Sequence, residues 1–182
     1  MKIISTSIND VKILEPQVFG DERGYFLETF RDDWFREHVA DVNFVQENQS
    51  LSSRGTLRGM HCQTQQPQGK LVRVISGEVF DVVIDLRRAS PNFGKWFTIL
   101  LSAKNGLQLW VPPGFAHGFY VISSSAELVY KCTDYYAPQF EQSVLWNDTD
   151  LAINWPINDK ETPKLSKKDR YGVMFKDAFF FE

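Results

Sequence analysis

The stretch Glu78–Arg87, EVFDVVIDLR, decides the fold. Phe80, Val82, Ile84 and Leu86 share one face, and Asp81, Val83 and Asp85 share the other. Alternation at period two is the mark of a half-buried strand, not of a helix. Similar runs recur at Val11–Phe19, Tyr25–Phe30, Phe44–Ser50, Lys70–Ile75, Lys95–Leu101, Leu107–Val111, Gly118–Ile122, Glu127–Cys132 and Ser143–Trp146. Turn residues separate them, at Gly20-Asp21, Ser53–Gly55, Ser76-Gly77, Ser90–Asn92, Lys104–Gly106, Pro112–Gly114 and Ser123–Ser125. About ten short strands without a helix of βαβ length predict an all-β barrel or sandwich of jelly-roll type, with a few short helices.

One helix is predicted over Arg31–Ala40, with Asp32 and Asp33 in the first turn and an apolar stripe of Trp34, Phe35, His38 and Val39. The polar, Pro-interrupted stretch Lys160–Arg170 reads as a surface turn and short helix. The closing GVMFKDAFFFE is too apolar for a free tail and is expected to pack on the body or across a dimer interface. No repeat or linker divides residues 1–182, which read as a single domain with N-terminal strands and a C-terminal helical and aromatic tail. A chain 43% apolar, with 15 Phe, 6 Tyr and 5 Trp, carries enough for a core and is not disordered. Its net charge of −3 argues against binding nucleic acid through bulk positive charge. Two cysteines, Cys62 and Cys132, are too few for a disulfide framework. The absence of a signal-like or membrane-length apolar run leads to the expectation of a reduced, soluble, cytoplasmic protein without membrane partners.

Candidate chemistry gathers around two of the three histidines. His61 stands in GTLRGMHCQ and His117 in VPPGFAHGF, both turn-rich, with Arg58 and Lys70 in the same region. Either histidine alone reads as a structural residue. Beside cations, however, an imidazole stays neutral at neutral pH and suits a general base. His38, on the helix stripe, reads as structural. The spacing resembles that of a cupin: Gly55, five residues, then His61; and Gly106, five residues, Pro112-Pro113-Gly114, two residues, then His117. Metal-binding cupins carry a second His two residues after the first, followed by a Glu. Here Gln63 and the uncharged stretch Gln65–Gln68 stand there, so no metal is expected; the chemistry that the resemblance named below implies needs no other cofactor either.

Taken together, DERGYFLETF, FVQENQS, LRGMHCQ, QGKLVRVISGEVFDVVIDLR, FGKW, QLWVPPGFAHGF, YKCTDYYAP, LWNDTDLAINWP and LSKKD resemble the dTDP-4-dehydrorhamnose 3,5-epimerase family from about Glu15 to Asp169. The resemblance implies a cupin jelly roll, a homodimer and a dTDP-sugar substrate. It implies His61 as the base, Asp169 as its orienting partner, Tyr130 as the opposing acid, and Lys70 and His117 near the keto oxygen. Arg23, Phe26, Glu28, Gln46, Glu47, Asn48, Arg58, Glu141 and Lys168 would hold the nucleotide diphosphate or shape its pocket. Two departures from the family pattern are Cys62, where an aromatic is common, and Glu47, where Asp is common.

The implied chemistry needs these residue types. A ketone at carbon 4 acidifies the hydrogens on carbons 3 and 5. Inversion then requires a base on one face, an acid on the other, and a donor at the developing oxyanion. Read without the family, Asp169 is a solvated charge, Tyr130 a packing aromatic, Arg23 a turn residue and Phe26 core. Asp81 is either a partner for His117 or exposed. The alternatives are an epimerase of a related nucleotide 4-keto sugar that inverts one centre, a carbohydrate- or nucleotide-binding cupin without activity, and a metal-dependent cupin, which Gln63 disfavours.

Overall fold

Two antiparallel sheets face each other in the computed structural model, which describes residues 1–158 and 161–182. The first holds, in spatial order, β1 (Lys2–Ser5), β2 (Lys12–Glu15), β10 (Gln108–Val111), β7 (Lys70–Ser76), β12 (Ser125–Cys132) and β5 (Gln46–Ser53). The second runs β13 (Glu141–Ser143), β6 (Leu57–Gln63), β11 (Phe115–Val121), β8 (Glu78–Asp85) and β9 (Trp96–Ser102). A separate hairpin pairs β3 (Val18–Asp21) with β4 (Gly24–Leu27). The all-β jelly-roll expectation holds, and the helices are short: α1 (Asp32–His38) and α2 (Lys167–Arg170).

The deciding stretch is a strand, but not a half-buried one. From Val79 to Asp85 its residues are buried except for the partly covered Phe80. Val79 and Val83 join Val72, Val74, Leu101, Leu109 and Leu128 in the core between the sheets. Val82, Ile84 and Leu86 pack on the other side, under Met60, Val144, Leu151 and the aromatic C-terminus. Phe181 is tied there by backbone bonds in both directions, to Arg88 N–H at 2.7 Å and to Leu86 O at 3.0 Å. The final aromatic segment therefore packs on its own body.

Several boundaries differ from expectation, each for a local reason. The run Val11–Phe19 breaks at Pro16, which has no N–H for a ladder, into β2 and β3. The Tyr25–Phe30 run stops at Leu27, in the exposed hairpin, and the Ser143–Trp146 run is replaced by β13 at Glu141–Ser143. β1 and β6 were not legible as strands; in β6, glycines and the polar Arg58 and His61 interrupt the alternation. Phe35 on α1 and Val39 just after it are buried against Leu14 and Trp110, whereas His38 is exposed and stacks on Trp34 at 5.0 Å. The apolar stripe therefore does not include His38. Of the Lys160–Arg170 stretch, Lys160 lies outside the described residues, and the short helix occupies its end.

One close approach positions the site. Gly59 sits at φ +130°, and a Cβ there would lie 2.5 Å from Gly118 Cα and 2.9 Å from His117 O. Only glycine lets β6 and β11 meet there, with His61 directly opposite His117 in the register. The covering layer on the second sheet is also testable. Phe180 packs edge-on against Phe93 at 4.8 Å and lies 5.2 Å from Phe175. Because the ring is only partly buried, Phe180→Ala is expected to lower stability by about 2 kcal/mol, read as a reduced urea midpoint with an unchanged slope.

Candidate active site

The inner face of the first sheet changes character along its length. Ala126 and Leu128 belong to the apolar core, while Tyr130, Asn48, Gln46 and Lys70 line a cavity of about 410 Å³. The second sheet supplies the opposite wall through Arg58, His61, Cys62, His117 and Phe119, and β13 and α2 add Glu141, Lys168 and Asp169. Leu128 and Phe119 are buried at the floor, whereas Arg58, Tyr136 and Lys168 are exposed at the rim.

His61 Nε2 lies 2.5 Å from Asp169 Oδ1, across 108 residues of sequence. Asp169 is only 2% exposed. It also accepts a hydrogen bond from Ser166 Oγ at 2.6 Å and one from the Gly59 N–H at 3.3 Å. The charge-rich surroundings of Asp169 in sequence pointed to solvent, and the structure corrects that reading. The Ser166-x-x-Asp169 capping pattern was the available local signal, since Ser166 caps α2. Burial alone would raise the Asp169 acid, but hydrogen bonds from His61 and Ser166 outweigh it and bring it to about 2. For His61, burial is the largest influence and lowers the pKa, with the Lys168 and Lys70 charges acting in the same direction. The Asp169 hydrogen bond and charge oppose it, and the balance stays below the ordinary value. The pair is thus a neutral imidazole donating Nε2–H to a carboxylate, which leaves the Nδ1 lone pair as the basic atom.

His117 has its own buried carboxylate. Its Nε2 lies 2.9 and 3.0 Å from the two Asp81 oxygens. Asp81 is therefore a partner for His117 and not exposed; burial raises its pKa against the opposing effect of His117. The Lys70 ammonium makes no hydrogen bond or ion pair among the described residues, and burial lowers its pKa. Tyr130 rises from the opposite sheet to His61, and burial pushes its phenol up, keeping it protonated. At the rim, Lys168 Nζ donates to Glu141 Oε1 at 2.6 Å and Arg58 Nε donates to Ser52 Oγ at 2.9 Å.

Four expected site residues lie elsewhere in the chain's own structure. Glu47 belongs to the outward parity of β5 and pairs with Lys131 at 2.6 Å, away from its neighbours Gln46 and Asn48. Arg23, Phe26 and Glu28 sit on or beside the β3–β4 hairpin and do not line this cavity. Arg23 pairs with Asp21, and Phe26 is 70% exposed instead of core. Conversely, Ser50, Gln68, Phe119, Leu128, Tyr136 and Ser166 line the cavity without having been singled out. Ser50 follows Gln46 and Asn48 at period two and was findable, whereas Tyr136 lies in a loop that carries no such pattern. At the position of the missing metal ligand, Gln63 instead secures a loop. Its Nε2 donates to Gln66 O at 2.8 Å and Tyr135 O at 3.2 Å, and its Oε1 accepts from the Ala137 N–H at 2.9 Å.

A jelly roll whose mouth joins a neutral His–carboxylate pair, a tyrosine from the facing sheet and cations on both walls is a cupin-type barrel suited to proton transfer on an anionic small molecule. Comparison with known proteins narrows this class. The family model described as dTDP-4-dehydrorhamnose 3,5-epimerase matches residues 5–177. A protein of that name from Neisseria gonorrhoeae is 58% identical over 98% of this chain, which spans 54% of the relative's length. Another from Pseudomonas aeruginosa is 53% identical over 100% of this chain and 99% of its own. The crystal structure of dTDP-6-deoxy-D-glucose-3,5-epimerase from Legionella pneumophila, in complex with dTDP-4-keto-L-rhamnose, superposes with a TM-score of 0.93 at 48% identity, covering 97% of this chain and 93% of that one. The chain belongs to the dTDP-4-dehydrorhamnose 3,5-epimerase family.

The His61–Asp169 pair sets a pH dependence. Because the folded state holds His61 below its ordinary 6.5, the unfolded chain binds the proton more readily, so this group's contribution to stability falls as pH drops below 6.5. Asp169 acts lower: its contribution is complete above 3.8 and is lost as pH falls toward about 2. Since Asp169 raises the imidazole pKa, Asp169→Asn is expected to lower it further. An NMR titration of the His61 ring in both proteins checks the sign.

Proposed function

We infer that this chain is an isomerase that inverts carbons 3 and 5 of dTDP-4-dehydro-6-deoxy-D-glucose to give dTDP-4-dehydro-L-rhamnose, in dTDP-L-rhamnose biosynthesis. The observation that carries the mechanism is the placement of His61 and Tyr130 on opposite sheets of one cavity. His61 Nδ1 takes the proton α to the ketone, Asp169 stabilises the imidazolium that forms, and Lys70 donates to the enolate oxygen. Tyr130 returns a proton from the other wall, which inverts the centre. His117, held by Asp81, binds the sugar beside Lys70. Arg58, whose outer guanidinium nitrogens make no hydrogen bond among the described residues, and Lys168 grip the diphosphate at the rim, where Gln46, Asn48 and Glu141 complete the wall.

The active unit in this reading is a homodimer of single-domain chains. Val18, Phe19, Tyr25 and Phe26 form an exposed apolar hairpin that carries Arg23, and a second copy is the partner that would bury it. If Arg23, Phe26 and Glu28 contact the nucleotide, they do so in the partner's cavity. The two cysteines are free and buried, and no described helix is long and apolar enough to cross a membrane. A cytoplasmic enzyme acting on a nucleotide sugar, with neither membrane nor nucleic-acid partner, is the consistent placement.

Proton NMR of the 4-keto sugar nucleotide with the protein in deuterium oxide tests the reading. Deuterium is expected at both carbons; at one carbon it supports a single-centre epimerase, and at neither a binding module. Tyr130→Phe keeps the ring but loses the acid, so it is expected to wash deuterium in faster than it makes inverted product. An unchanged ratio of exchange to inversion would return Tyr130 to a packing role. Separately, Arg58→Ala is expected to weaken dTDP binding by about tenfold or more, as measured by titration calorimetry.

A further inference from the structure

Gln63 stands where a metal-binding cupin carries a histidine, and here both polar atoms at its end are committed to main chain. The Ala137 N–H can only donate, so the atom it meets at 2.9 Å is Gln63 Oε1 and the other is the amide nitrogen. That Nε2 donates twice, to Gln66 O at 2.8 Å and to Tyr135 O at 3.2 Å. The residue is only 5% exposed, so losing these bonds leaves buried groups unpaired. Gln66 holds φ +52°, a left-handed backbone that a non-glycine residue keeps only where its surroundings impose it. The two loops that Gln63 reaches also bind each other, through Gln68 Nε2 to Asp134 O at 2.9 Å and the Gly69 N–H to Thr133 Oγ1 at 2.8 Å. Between the contacts of Gln63 with Tyr135 and Ala137, the Tyr136 N–H donates to Gln46 Oε1 of the facing sheet at 2.9 Å.

We propose that Gln63 is a positioning residue for the nucleotide grip: it fixes the loops at 64–69 and 133–137 so that Tyr136 stands at the cavity mouth. The consecutive residues Tyr135, Tyr136 and Ala137 are tied to both sheets at once, to the second by Gln63 and to the first by Gln46. The Tyr136 side chain is thereby held at the rim, where its hydroxyl donates to Glu141 Oε2 at 3.3 Å. Glu141 is also the cross-strand partner of Gln63 and accepts from Lys168 Nζ at 2.6 Å. The rim cation is therefore oriented through a carboxylate that the clamped loop meets. A rim preformed in this way spares the ligand the cost of ordering two loops. His61, Lys70 and Tyr130 stand on paired strands instead, so the proton transfers do not depend on the clamp.

The inference rests on the reading of the cavity as a nucleotide-sugar site, and the test separates the two. Gln63→Met keeps the length and loses the side-chain bonds without burying a charge. Its dTDP dissociation constant, measured by titration calorimetry, is expected to rise about tenfold. Deuterium wash-in at saturating 4-keto sugar nucleotide is expected to stay within about twofold of wild type, with an unchanged ratio to inversion. In a Tyr136→Ala background the same substitution is expected to weaken dTDP by less than about twofold, because the side chain that the loop presents is gone. An unchanged dissociation constant, an effect undiminished in that background, or a lower saturating rate at wild-type affinity overturns the proposal. Should Gln63→Met fail to fold, Gln63→Glu gives the same readings, since it keeps the acceptor for the Ala137 N–H and loses both donors. Failure of both to fold makes Gln63 a residue of the fold alone and overturns the proposal too. Wild-type protein that binds dTDP yet washes in no deuterium overturns the epimerase reading and leaves the affinity test in force.

Discussion

The space between the two sheets must be filled at one end and left open at the other, and a single period-two pattern does both. Along β12 the inward residues are Ala126, Leu128, Tyr130 and Cys132; along β5 they are Ser52, Ser50, Asn48 and Gln46. Ala126 and Leu128 close the barrel with Val72 and Val74 of β7, while Tyr130 with Asn48, and Cys132 with Gln46 and Lys70, form the last two rows toward the open end. Because the two ends share rigid strands, the cavity inherits the order of the core. The placement of Tyr130 opposite His61 is a consequence of which sheet each strand joined.

Burial gives these polar groups their chemistry. An imidazole in water would be partly charged near neutrality, and an exposed ammonium would be screened. In the cavity wall, desolvation keeps His61 neutral and lowers Lys70, while compensating hydrogen bonds keep Asp169 ionised. The cost of burying the Asp169 carboxylate is offset by three donors: His61, Ser166 and the Gly59 backbone. His117 and Asp81 repeat the His–carboxylate pairing on the same sheet. The two pairs differ in origin: the Asp81 carboxylate comes from a neighbouring strand, and that of Asp169 from a helix near the end of the chain.

That helix depends on the layer outside the second sheet. The outer face of β8 carries Phe80, Val82 and Ile84, so it needs a cover, and the segments after β12 provide most of it. Met60, Val144, Leu151 and the closing phenylalanines complete this second core. Between them the chain passes α2, and backbone pairing of Thr56 with Lys164 and of Val144 with Val173 holds that passage to the barrel. Packing on the outer face thus sets the position of a carboxylate on the inner side.

Period-two alternation in EVFDVVIDLR and its neighbours was enough to determine an all-β jelly roll, because side-chain parity is a local property of an extended chain. The glycine and proline spacing around His61 and His117, with Gln63 where a metal ligand would stand, marked the mouth of the barrel, and the ordered series of family blocks pointed to His61, Lys70, Tyr130 and Asp169. Other features were not local. β6 was hidden because its interrupted alternation becomes a strand only when β11 and β13 pair with it. Asp169 reads as a surface charge until it meets His61, and Tyr136 has no pattern until its N–H meets Gln46, 90 residues away. Glu47 differs from Gln46 and Asn48 only in parity, and which parity faces inward is settled when the sheet closes. Hydrogen-bond direction, burial and the resulting protonation states arise from contacts distant in sequence, so the tertiary structure alone decided them.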